Sequence, residues 1–129
     1  MDDLVVWLRQ QLDEDERVAR AAGEGDWAAW EHTGEVVAAP LGFGKICQGV
    51  WGDLGERGDH IARHDPARVL RDVARDRLIL DEYRKALDRR AQHPGDVASA
   101  GALLALLRVM ELLALPYSDR PGYREEWKP

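Results

Sequence analysis

Cysteine, serine and threonine are nearly missing from this chain, and each shortage excludes a class of chemistry. Cys47 is the only cysteine, so no intramolecular disulfide and no cysteine-rich zinc module can form, and a reducing compartment suits the chain. Ser99, Ser118 and Thr33 are the only hydroxyl side chains of their types. No Gly-x-Ser-x-Gly elbow, no phosphate-cradling glycine loop with its lysine and no dinucleotide fingerprint occurs, and Gly42-Phe43-Gly44 is too short to count as one. Basic excess is missing as well. With 24 acidic against 18 basic side chains the net charge is −6, a field that repels phosphate backbones and anionic lipid surfaces, so general nucleic-acid binding is disfavoured. The opening Met1-Asp2-Asp3 carries acid where a secretory signal carries base. Long apolar runs are lacking too: Val97 to Leu107 gives eleven residues before Arg108 interrupts, against the ~20 that cross a bilayer. The expectation is a cytoplasmic protein with no membrane association.

What is present reads as one globular domain over residues 1–129, mainly α with a small β-hairpin. Hydrophobic residues make up 45% and charged residues 33%, the mixture of a chain that folds around a single core. Leu4, Leu8 and Leu12 recur every four residues and predict a helix over 3–22, capped by Asp2 or Asp3 and stopped at Gly23. Its acidic second half pairs Asp13 with Arg17 and Glu16 with Arg20 along a solvated face. Residues 23–59 hold nine of the twelve glycines and three of the five tryptophans. Within them, two β-prone runs at 35–39 and 45–51 flank the loop 40–44 and predict a hairpin, with Trp27, Trp30 and Trp51 filling its seam against the helices. Asp65-Pro66 starts a long helix over 66–91, broken at His93-Pro94-Gly95. The next helix, over 97–115 with Asp96 or Ser99 as cap, is apolar around most of its circumference, which predicts burial on several sides. Either a central place in a helical bundle or packing against a second copy provides that burial, and a homodimer is the expectation. The tail, 116–129, is expected to dock through Tyr117, Tyr123 and Trp127.

Two constellations could carry chemistry. His60 and His64 stand four apart, a spacing that lets two imidazoles share a divalent metal, with His32, Cys47, Asp59 or Asp65 as conceivable third ligands. Packing at the junction before the long helix is the alternative for both. Arg63, Arg68 and Arg71 crowd the N-terminus of that helix, where free N–H groups and the dipole favour an anion. The competing reading has these arginines forking onto nearby carboxylates. No cofactor is expected.

Three phrases resemble one family. The opening Met1-Asp2-Asp3-Leu4, the centre His60-Ile61-Ala62-Arg63-His64-Asp65-Pro66-Ala67-Arg68-Val69-Leu70 and the ending Tyr117 to Pro129 occur together and in order in a family of short actinobacterial proteins of unknown function. That resemblance covers nearly the whole chain and implies no activity. It departs at one turn, where Gly25-Asp26-Trp27 replaces a Gly-Pro-Trp. The order of helix, Gly-and-Trp turn, hairpin and helix is more remotely similar to that of small phage early-region proteins, a likeness of layout alone.

These observations favour a non-enzymatic protein-binding or regulatory module that contacts a partner through Trp27, Trp30, Tyr117, Tyr123 and Trp127. The first alternative is a phosphate, nucleotide or metal-assisted hydrolase site at the His60–Arg71 junction. The second is an acidic antitoxin-like or phage-related regulator.

Overall fold

The computed structural model describes residues 2–23, 26–38, 45–49 and 54–129. It is mainly helical with a small antiparallel sheet: α1 (Asp2–Ala21), β1 (Trp27–Ala29), β2 (Val36–Ala38), β3 (Lys45–Cys47), α2 (Glu56–Arg63), α3 (Pro66–Gln92) and α4 (Val97–Ala114), with short 3-10 turns at Leu115–Tyr117 and Glu125–Trp127. The chain divides into two compact units, one of residues 1–14 and 74–129, the other of residues 15–73.

The first unit is built on the leucine stripe of α1. Leu4, Leu8 and Leu12 are essentially sealed from solvent, and Leu80, Tyr83 and Ala86 of α3 and Met110 and Ala114 of α4 are buried with them. Asp96 caps α4, its carboxylate accepting from the Ala98 and Ser99 amides, both at 3.1 Å, which satisfies two of the unpaired N–H groups every helix start leaves. The tail docks as expected. Trp7 donates from Nε1 to the Pro121 carbonyl at 3.1 Å, and its indole meets the rings of Tyr117, Tyr123 and Trp127 at 6.4, 5.7 and 5.4 Å. Gly122 sits at φ 88°, and a Cβ there would come within 2.9 Å of the Trp7 indole nitrogen. Arg120 reaches Gln11 at 3.2 Å and Arg124 reaches Asp3 at 3.0 Å. Asp13 accepts from Arg77, 2.7 Å away, where helix spacing alone suggested Arg17.

The second unit centres on the sheet, ordered β1-β2-β3 and antiparallel throughout. Trp27 to Ala29 pair with Ala38 to Val36, and Val36 and Val37 pair with Cys47 and Lys45 across a bulge. The expected hairpin is therefore present as β2 and β3 but shorter than 35–39 and 45–51, and it gains an unforeseen third strand. The loop 40–44 and Trp51 lie outside the described residues. Helix α2 was unforeseen as well: Gly55 and Gly58 mask a short charged helix that packs on β1 and β2. Gly58 is required there, since a Cβ would collide with the Gly34 carbonyl, and Gly34 itself holds φ 66°. Asp65 ties the unit together. Buried to 7% exposure, its carboxylate accepts from the Arg68 amide at 2.7 Å as the α3 cap and from the Trp27 amide of β1 at 3.1 Å.

Two expectations about burial need correction. Trp30 does not fill a seam but is 52% exposed, and Val36 and Val37 supply the buried surface of the sheet instead. Helix α4 is not buried on several sides. Ser99, Met110 and Ala114 are its only buried residues, while Val97 is 84%, Leu104 67% and Leu112 49% exposed.

Candidate functional site

The junction expected to bind a ligand lies at the end of α2 and the start of α3. His60 and His64 do come together, their rings 4.4 Å apart between centroids. Both are exposed, and His64 Nδ1 lies 2.8 Å from the His60 carbonyl, a contact in which Nδ1 is the donor because a carbonyl only accepts. Among the described residues no group of three His, Cys, Asp or Glu side chains converges as a metal site. All three arginines are exposed, and Arg68 donates to the Arg63 carbonyl at 3.3 Å and lies 3.6 Å from the Asp72 carboxylate. The Asp65 carboxylate already occupies the N-terminus of α3, the position an incoming anion would use.

The five aromatic residues expected to meet a partner separate by burial. Trp127 is 6% exposed and packs edge-on against Tyr123 at 5.9 Å. Arg120 covers the Tyr117 ring at 4.6 Å and Arg124 covers Trp127 at 5.2 Å. The Tyr123 hydroxyl is buried with no hydrogen-bond partner among the described residues. Tyr117, Tyr123 and Trp127 are thus engaged in docking their own tail. Trp27 is half-buried in β1. Trp30 alone projects, beside a shallow open depression lined by residues 29–33.

Among the described residues, the outer face of α4 is apolar and exposed, where the sequence pattern suggested an interior helix. At 100° per residue, Val97, Gly101, Leu104, Arg108, Leu112 and Leu115 fall within one stripe opposite the buried Ser99, Met110 and Ala114, and all six are exposed. The one charge in that stripe, Arg108, is held 3.1 Å from Glu111 of the same helix, so the face carries no net charge. Continuing into the following turn, the 21 residues from Val97 to Tyr117 are long and apolar enough to cross a membrane by length and composition. The signal was legible as a helix apolar around most of its circumference. Its direction was not, because apolar periodicity records which surface would gain from burial and not whether the same chain covers it. A second apolar feature of this unit is a shallow groove of about 190 Å³ between α1 and α3, lined by Val5, Val6 and Arg9 on one side and Leu80, Tyr83 and Leu87 on the other.

Compared with known families, the whole chain, residues 1–129, matches the family of unknown function DUF6221 and belongs to it. No curated protein and no solved structure matches the chain.

Proposed function

Starting from membership of a family without an assigned activity, we propose that this chain is a non-enzymatic protein-binding or regulatory module of the cytoplasm whose working surface is the outer face of α4. One observation carries the reading: an 18-residue helix leaves Val97, Leu104 and Leu112 largely exposed in one stripe. Exposed apolar stripes of this kind often mark interaction sites. Arg108 and Glu111 in the second half of α4, together with a face already packed on the chain at Ser99, Met110 and Ala114, favour a protein occupant over lipid.

The ligand reading of the His60–Arg71 junction has less support, because Arg68 and the α3 N-terminus already have partners within the chain. The test is a photoreactive amino acid placed at position 104 or 112 in the native host. An adduct with a protein is expected. Adducts with lipid alone, or none, would remove the reading.

A further inference from the structure

We propose that His60 and His64 form a two-imidazole chelate for a late first-row divalent cation, Cu²⁺, Ni²⁺ or Zn²⁺, at the C-terminal turn of α2. The site is independent of the α4 face and of any anion held by the neighbouring arginines.

Position supplies the first observation. His60 lies in the last turn of α2 and His64 is the residue that ends the helix, a spacing of four that puts two imidazoles on one side. Their rings lie 4.4 Å apart between centroids and 42° from parallel. Both are exposed, so an ion reaches them without opening the core. Orientation is the second observation. Nδ1 of His64 donates to the His60 carbonyl at 2.8 Å, and the neutral ring then carries its lone pair on Nε2. Histidines that hold metals almost always donate the other ring N–H in this way, which fixes the tautomer and aims the ring. Electrostatics agree. The carbonyls at a helix C-terminus favour a cation, and on α2 the acids Glu56 and Asp59 balance the bases Arg57 and Arg63.

The donor set selects the class of ion. Neutral imidazole suits copper, nickel and zinc, with Cu²⁺ bound most tightly, whereas Ca²⁺ and Mg²⁺ require oxygen ligands. No third His, Cys, Asp or Glu converges among the described residues, so water completes the coordination and the ion stays exchangeable. Its effect falls on α2. That helix has eight residues and no side-chain hydrogen bond at its Gly55 N-cap, and a helix so short is marginal by itself. Chelation across the last turn holds that turn closed, so the ion favours the folded chain and raises its melting temperature.

The test is calorimetric titration of the full chain, prepared without a histidine tag, with nickel chloride, paired with melting curves in the presence and absence of the salt. The wild type is expected to take up one ion and to melt higher with it. His60→Ala and His64→Ala should each weaken binding at least ~10-fold, because a ligand counts for more than the outer-shell partners whose loss costs about 10–100-fold. Both should also lose the gain in melting temperature, and their curves without nickel show that they fold. His32→Ala and His93→Ala, in the turn after β1 and just beyond α3, should leave both readouts as in the wild type. Absence of binding in the wild type would overturn the proposal, as would binding that persists in the His60→Ala/His64→Ala double variant or falls equally in His32→Ala. A melting temperature lowered by nickel would place the ion on the unfolded chain and overturn it too. Magnesium bound as tightly as nickel would mean that carboxylates hold the ion, with the same consequence.

Discussion

Helices α1 and α4 are of similar length, 20 and 18 residues, and are built on opposite plans. In α1 the apolar side chains form one stripe, buried at Leu4, Trp7, Leu8 and Leu12, and the rest of the surface carries charge, including the Glu16–Arg20 pair at 2.8 Å. Such a helix takes up most of its apolar surface within its own chain, although Val6 and Val18 stay about half exposed. In α4 leucine continues past the buried line of Ser99, Met110 and Ala114 onto the opposite side, and no charge set separates inside from outside. Amphipathic balance therefore distinguishes a finished helix from one with a face still to cover. Lysine and glutamate outside α4 would have made it resemble α1; leucine, alanine and glycine leave its outer face apolar and exposed.

Substitutions that treat the two helices alike can break this comparison. The largest effect is expected at the filled contacts of the first unit. Trp127→Ala, which removes the ring packed on Trp7, should cost about 3–5 kcal/mol, and Leu8→Ala in α1 about 2–5 kcal/mol, both measured by urea unfolding. Leu104→Ala in α4 should stay within about 0.5 kcal/mol, as exposed sites do. A loss there as large as at Leu8 would show that the outer face of α4 is interior after all.

Next in size is Gly58→Ala in the second unit. The Cβ has no room beside the Gly34 carbonyl, and overpacking of this kind costs about 1–3 kcal/mol. The same change at Gly101, where space is open, should instead stabilise the monomer by about 0.8–1 kcal/mol. Opposite signs in thermal melts at the two glycines are the expected outcome, and equal losses would mean that α4 is covered within the monomer. Between these falls Asp65→Ala. It removes the α3 cap and the acceptor for the Trp27 amide, with an expected loss of about 1–2 kcal/mol, while Asp96→Ala at the start of α4 should lose about 1 kcal/mol.

The residues made much of this architecture legible and left part of it dark for physical reasons. Helix ends were readable where a side chain does the capping: Asp65 before Pro66 and Asp96 before Val97 are local chemistry, and Gly23, at φ 106°, ends α1 as a left-handed stop does. Docking of the tail was readable from its aromatic side chains. Strand β1 was not, because Trp-Ala-Ala has no β-branched residue and gains its pairing from β2, a tertiary contribution that local preference does not contain. Helix α2 was obscured by two glycines, Gly58 for its close approach to Gly34 and Gly55 for its positive φ of 53°. The partner residues were the least legible. Tyr117, Tyr123 and Trp127 advertise contact area without saying with whom, and they found it in Trp7.

The outer face of α4 is the surface on which the proposed binding rests, and the most direct measurement is methyl NMR of the leucine-labelled wild type with a soluble paramagnetic agent, recorded for the free chain and after addition of the protein captured through position 104. Leu104 and Leu112 should be broadened in the free chain and shielded in the complex, while Leu8, sealed at 2% exposure, stays shielded in both. Methyl groups at Leu104 and Leu112 that are equally broadened with and without that protein would contradict the proposed binding.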